Sequence, residues 1–271
     1  MQCIVVLLLL HKSYSFILSS TQLRAATSLT MKLPPPPNDN VDFQALPWNL
    51  NLPDQHHYLH LTTTPLEGWT NEHYDASTDG GILTSKSDDG KLNCLHHYSS
   101  TPLKLNPATT SINYGTTIWE GLACRRSPTT GKALVFRPQK NYARFVNGAD
   151  AMCLPPPSFE MFMRAVQLVV EKNIDLLPPA PEVDSETGVP LGGAKLYVRP
   201  MLMGTGQQLG LHASPEVSLV FYVSPTGSYF KGKTMGGLKL HLERKRSRAA
   251  RGGTGNVKCC GNYAVTMRPL L

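Results

Sequence analysis

Hydrophobic and polar positions alternate with a period of two over Tyr58-Leu59-His60-Leu61-Thr62, which predicts a strand inside the otherwise polar stretch from Phe43 to Leu92. Asp88-Asp89-Gly90 reads as a turn in the same stretch. Ala133-Leu134-Val135-Phe136 is a short apolar strand that runs into Arg137-Pro138, and proline suits the first turn of a helix. Tyr142, Phe145, Val146, Ala149, Met152 and Cys153 then fall at helical spacing, so one face of that helix looks into a core. Pro155 to Pro157 close it, and Ser158 can cap a second helix whose apolar stripe is Phe159, Phe162, Ala165, Val166, Val169 and Val170. Leu176 to Gly193 is rich in Pro and Gly and acidic at Glu182, Asp184 and Glu186, hence a loop. Lys195 opens another strand that ends in a turn, and Val217 to Val223 is nearly all apolar, the pattern of a central strand buried on both faces. Leu238 to Glu243 alternates again.

Composition narrows the class. The 271 residues are 41% hydrophobic, enough for one large domain or two small ones with a packed core. The net charge of +7 lies partly in the first residues and partly in Glu243-Arg244-Lys245-Arg246-Ser247-Arg248, so nucleic-acid binding is only an outside reading, separable by a steep salt dependence. The six cysteines have no C-x-x-C, and His56-His57 and His96-His97 are adjacent pairs without ligand spacing, so neither a zinc site nor a disulfide framework is indicated. Residues 1 to 37 lack any acidic residue and combine an apolar run, Cys3 to Leu10, with a Ser/Thr-rich basic tract. The run is too short to span a bilayer, and the tract fits an organellar presequence (plastid or mitochondrion) or a secretory signal; the lack of a disulfide framework favours an organelle. Gly227-Ser-Tyr-Phe-Lys-Gly-Lys-Thr234 matches the phosphate-loop expression, but a helix must follow for the loop to hold phosphate, and here Met235-Gly236-Gly237 and an alternating stretch follow instead.

Lys258 sits in Gly-Gly-Thr-Gly-Asn-Val-Lys-Cys-Cys-Gly-Asn-Tyr, residues 252 to 263, with glycines on both sides. Backbone of that kind can pass close to a flat ligand, and a lysine held there can form an imine. A glycine-rich surface turn with a solvated lysine is the plain alternative. Tyr114-Gly115, followed by Trp119-Glu120-Gly121, could wall an apolar pocket or simply fill a core. The set Tyr114-Gly-x-x-x-Trp119-Glu120-Gly121, Phe136-Arg137, Tyr197-Val-Arg199-Pro with Gly206 to Leu211, Tyr229-Phe, Arg248-Ala-Ala and the lysine loop resembles the branched-chain amino-acid aminotransferases, which are class IV pyridoxal-phosphate enzymes. The resemblance covers roughly residues 95 to 264.

That resemblance implies an α+β fold, an antiparallel sheet with two helices followed by the first strands of an incomplete barrel-like second domain. It implies a leader over 1–37, a polar extension of the small domain over 38–94, the small domain over 95–226, and the start of a cofactor-binding domain over 227–271. Lys258 would carry pyridoxal 5′-phosphate as a Schiff base, Arg137 would contact its phosphate and Tyr263 its phenolic oxygen. Tyr114, Trp119, Tyr197, Arg199, Leu211 and Tyr229 would line the substrate pocket, Asn262 would brace the loop, and no metal is implied. The substrates would be leucine, isoleucine or valine with 2-oxoglutarate, and the intact family is usually dimeric, with no nucleic-acid or membrane partner. The match fades after Ala264, which reads as truncation with activity in doubt. A D-amino-acid aminotransferase or aminodeoxychorismate lyase type, or a non-catalytic binding remnant, is the alternative.

Overall fold

The computed structural model describes residues 26–29, 33–50, 56–70, 73–75, 82–83, 94–182, 185–186, 193–227 and 242–268. In chain order its elements are β1 (Ala26–Ser28), β2 (His57–Thr63), β3 (Tyr74–Asp75), β4 (Ile82–Leu83), β5 (Leu95–His97), α1 (Thr110–Tyr114), β6 (Thr117–Trp119), β7 (Leu122–Arg126), β8 (Ala133–Phe136), α2 (Pro138–Ala151), α3 (Phe159–Glu171), β9 (Lys195–Gly204), β10 (Val217–Thr226) and α4 (Gly261–Ala264). The main sheet is antiparallel throughout, in the order β1-β8-β7-β9-β10-β2-β5, with β6 also paired to β9. This is the expected α+β class.

Helices α2 and α3 cover one face of the sheet. Along β9 the residues Leu196, Val198 and Leu202 are fully buried and join the core with Phe145 and Phe162, whereas Tyr197, Arg199 and Met201 alternate to the opposite face. The rings of Phe145, Phe162 and Phe221 stack in sequence, each centroid 5.4 Å from the next, so α2, α3 and β10 share one aromatic seam. All of β10 except Tyr222 is buried, as its apolar run predicts for a central strand. The Ser158 hydroxyl accepts from the Met161 N–H at 3.1 Å and so caps α3. Helix α2 stops at Ala151, one residue before Met152 and two before Cys153; Cys153 turns into the left-handed region (φ 54) and the Leu154 N–H returns to Ala149 O, because Pro155 cannot continue a helix.

Two local features add to the sequence-based picture. Thr110–Tyr114 is a short helix that ends at Gly115 (φ 67). The Thr110 hydroxyl bonds to Gly204 O and pins this turn to the end of β9. The strand begins afterwards as β6. Register is unbroken from Trp119 opposite Met201 to Leu122 opposite Val198, so β6 and β7 are one strand interrupted at Glu120-Gly121. The gap faces Pro200, which has no N–H to give the ladder. In the N-terminal region, β1 pairs with β8 and Arg126 donates to Pro34 O and Pro35 O, so residues counted with the leader pack on the sheet. No helix among the described residues is long and apolar enough to cross a membrane.

Candidate active site

The lysine loop reaches the sheet as one more edge. The Trp119 N–H donates to Lys258 O (3.1 Å), the Cys260 N–H donates to Thr117 O (3.0 Å), and Ile118 and Cys259 form the bridge between them. Alternation then sends Cys259 into the core beside Ile118 and turns Lys258 to the face opposite the helices, with Trp119. Inside the loop, the Asn262 amide donates to Thr254 O (2.7 Å) and Val257 O (2.8 Å), and its oxygen accepts from the Thr254 hydroxyl (2.8 Å). At Gly255 a Cβ would stand 2.4 Å from Ala249 Cα, so only glycine permits this crossing of the chain. The short α4 brings Tyr263 back until its hydroxyl oxygen is 3.1 Å from Lys258 Nζ.

Trp119 is the hub. Lys258 Nζ lies 3.5 Å from the centroid of its ring, Arg199 Cζ lies 4.1 Å from it, and the Tyr263 ring is 5.0 Å away. Cation–π contacts of this kind are worth about 0.5–2 kcal/mol each. The two centroid distances also hold the two positive charges within roughly 8 Å of one another, where repulsion at an effective dielectric of about 20 is about 2 kcal/mol. Aromatic attraction offsets that repulsion without exceeding it by much, and among the described residues no carboxylate pairs with either cation: Glu120, fully buried, points to the helix face, where Arg144 Nε and Nη2 each hold one of its oxygens at 2.8 Å. Arg199 Nη2 donates to the Tyr197 hydroxyl (3.1 Å), while its Nε is buried without a hydrogen-bond partner. The site therefore presents two cations and a spare donor on an aromatic floor, a constellation built for an anionic ligand with an apolar body.

Of the residues singled out in the sequence, Lys258, Tyr263, Trp119, Arg199 and Tyr197 are brought together. Arg137 is exposed at the start of α2 in a left-handed conformation (φ 48, ψ 50), its guanidinium 5.8 Å from the Phe136 ring, and no hydrogen bond or ring contact joins it to Lys258 or Tyr263. Tyr114 is 39% exposed and donates to Leu209 O, and Leu211 is 81% exposed on the adjoining loop; neither touches Lys258. Tyr229 and the phosphate-loop letters after Gly227 lie outside the described residues. Sequence reasoning passed over three neighbours. Met201 and Tyr222 share the face of Arg199, and the two-residue alternation of β9 would have found Met201; Trp48, whose ring meets Tyr197 edge-on at 5.4 Å, had no such signal in its polar surroundings. Burial pushes the Tyr222 phenol up, against the opposing pull of Arg199. Among the described residues no group of His, Cys, Asp and Glu could hold a metal ion.

No protein-family model matches the chain. Among curated proteins it is similar to branched-chain-amino-acid aminotransferase 3, chloroplastic, of Arabidopsis thaliana, 40% identical over 166 residues that make up 61% of this chain and 37% of the relative. It is likewise 40% identical over 168 residues to branched-chain amino acid aminotransferase 1, mitochondrial, of Humulus lupulus, covering 62% of this chain and 39% of the relative. The chain thus spans less than half the length of these curated relatives. Among solved structures, the branched-chain amino acid aminotransferase of Escherichia coli is 18% identical, with a TM-score of 0.42 over 64% of this chain and 51% of that one.

Proposed function

We propose that this chain, 40% identical over 166 residues to a branched-chain-amino-acid aminotransferase of Arabidopsis thaliana, moves an amino group between leucine, isoleucine or valine and 2-oxoglutarate with pyridoxal 5′-phosphate bound at Lys258. The observation that carries the reading is the half-buried Lys258 amine, hydrogen-bonded to a phenol and set on a tryptophan beside a second cation, with no carboxylate among the described residues to neutralise either. The fit to the cofactor rests on that arrangement. The Trp119 indole offers a flat wall, the Tyr263 hydroxyl a donor for an aryl oxygen, and the Lys258 amine a group that condenses with an aldehyde. Arg137, exposed at the start of α2 and joined to neither Lys258 nor Tyr263, is carried over from the resemblance alone as the phosphate contact.

Bound there, pyridoxal phosphate supplies the electron sink that lets a proton leave the Cα of an amino acid. The chain's own residues do the rest. Lys258 Nζ would take the proton from the Cα of the amino donor and, in the second half of the cycle, deliver one to the Cα of the 2-oxo acid, Tyr263 fixes the direction of the amine, and the Arg199 guanidinium receives the distal carboxylate of 2-oxoglutarate. Trp119 and Met201, adjacent across the strand pair, accept an aliphatic side chain in its place. Ile112, Tyr114, Leu209 and Leu211 are exposed together on α1 and the loop it contacts, an apolar knob that supports association as a homodimer. The chloroplastic and mitochondrial names of the relatives support an organellar location. A different class IV pyridoxal-phosphate enzyme is the second reading, favoured if leucine is not a substrate.

The test uses the full chain. Added pyridoxal phosphate should give a visible absorbance band that Lys258→Ala abolishes and Tyr263→Phe shifts, and amino transfer from leucine to 2-oxoglutarate should fall at least a hundredfold in Arg199→Met when 2-oxoglutarate is the acceptor. A band of equal intensity in Lys258→Ala would overturn the assignment.

A further inference from the structure

At the far end of the same sheet face, three polar side chains stand in a row across adjacent strands. One step beyond Cys124 opposite Leu196, Arg125 of β7 faces Lys195 of β9, and Lys195 is in turn opposite Thr226 of β10. All three occupy the face away from the helices, because their neighbours Cys124, Leu196 and Val198 are the ones in the core. Trp48 lies over the row: Lys195 Nζ is 4.8 Å from its ring centroid, and Pro47 O, next to it, accepts from the Gly227 N–H.

As a structural arrangement this row is unfavourable. Two like charges directly opposed on neighbouring strands destabilise a sheet, and among the described residues neither Arg125 nor Lys195 has a carboxylate within ion-pair distance. Arg125 spends one N–H on Ala194 O at 2.9 Å, leaving four of its five donors. Burial lowers the proton affinity of both cations, and Arg125 lowers that of Lys195 further. The third member is the decisive one: Thr226 is only 4% exposed, and its hydroxyl is buried with no hydrogen-bond partner. A buried hydroxyl left unsatisfied costs about 1–3 kcal/mol, which a ligand oxygen would recover.

From this geometry we infer a second anion-binding subsite, formed by Arg125, Lys195 and Thr226 under Trp48, that takes the oxyanion of a small ligand, a carboxylate or a phosphate. It is separate from the Arg199 site, since four residues of strand put Lys195 and Arg199 about 13 Å apart along β9, too far to share one carboxylate. The two are nevertheless in contact, because the Tyr197 ring meets Trp48 on one side and its hydroxyl takes the Arg199 N–H on the other. The inference stands on these residues alone and does not depend on Lys258 being a cofactor lysine.

Full-length chain, without added cofactor, is titrated at low ionic strength with inorganic phosphate and, separately, with glutarate, following tryptophan fluorescence and heat of binding. At least one of them should saturate with a change in emission that is lost in Trp48→Phe. Saturation by phosphate alone marks a phosphorylated ligand, and by glutarate alone an organic acid. Lys195→Met should raise the Kd of the transition reported by Trp48 at least tenfold and the near-isosteric Thr226→Val about fivefold, while Arg199→Met, which removes the other anion position, should leave that transition in place. Removing one of two opposed cations should leave the unliganded protein no less heat-stable, so failure of Lys195→Met to fold would itself count against the site. No saturable signal from either anion, or affinity unchanged in both Lys195→Met and Thr226→Val, would overturn the inference.

Discussion

The buried carboxylate of Glu120 offers a prediction whose sign depends on which partner is removed. Its side chain is 1% exposed, whereas that of Arg144 is 57% exposed. In Glu120→Gln the guanidinium loses its partner but is already mostly in water, and the amide can still accept one N–H; the loss is one charge-assisted hydrogen bond, about 1.5 kcal/mol. In Arg144→Ala the carboxylate stays buried with only the Asn141 amide (2.9 Å) and the Gly121 N–H (3.2 Å) to hold it. Stranding a buried charge costs 3–5 kcal/mol, and those two remaining donors put the expected value near the low end, about 3 kcal/mol. At roughly 2–4 °C per kcal/mol for a chain of this size, Glu120→Gln should melt a few degrees below the parent and Arg144→Ala about 6–12 °C below. Calorimetric melts of the two variants at neutral pH decide the matter. A larger loss in Glu120→Gln, or equal losses, would mean that the carboxylate is not desolvated as described. Because the Glu120 N–H also bonds Pro200 O, the more damaging variant should disturb Trp119 next to it and weaken cofactor absorbance too.

Two further predictions probe the same sheet face. Gly121→Ala would place a Cβ 1.9 Å from the Tyr197 hydroxyl, so the ring must leave; the hydrogen bond to Arg199 goes with it, and the Michaelis constant for 2-oxoglutarate should rise at least tenfold while binding of pyridoxal phosphate changes less than twofold, with loss of both disproving the local reading. His60 bonds the Ser218 hydroxyl at 2.9 Å and is lowered to about 4 by burial first and His96 second. Its proton is bound more tightly by the unfolded chain, near 6.5, so stability should decline as pH falls below about 6.5 and level off near 4, by at most about 3 kcal/mol. His60→Gln should flatten that part of a stability-versus-pH curve measured by urea unfolding, and an unaltered slope would acquit His60.

Much of the sheet was legible because strand and helix periods are strong signals. The alternation in Tyr58 to Thr62, the continuous apolar run of β10 and the stripes of α2 and α3 each name a face, and the faces meet as those stripes require. What the pattern could not give is the break between β6 and β7. It comes from Pro200 on the opposite strand, a long-range partner that no local window contains. The same is true of α1, where helical Thr110–Tyr114 is held by a bond from Thr110 to Gly204, far along the chain.

The site was legible to a different depth, because short motifs name residues without fixing where each one points. Lys258 and Tyr263 are five residues apart within one loop, so sequence proximity nearly dictates their contact. Trp119, Arg199 and Tyr197 meet them through strand register, which follows once β6 and β9 are paired. Arg137 shows the limit. It stands at the first turn of α2, as its motif implies, yet its direction depends on a left-handed backbone angle that nothing in Phe-Arg-Pro encodes. The row of Arg125, Lys195 and Thr226 is further still from view, since no motif joins residues 70 and 31 positions apart in succession; it emerges only when three strands are laid side by side and the charges on one face are counted. A sheet face that gathers Lys258, Arg199, Lys195 and Arg125 while the Glu120 carboxylate turns to Arg144 on the other side has its electrostatics set for an anion. Anions are therefore the ligands to test first, whichever reaction the chain performs.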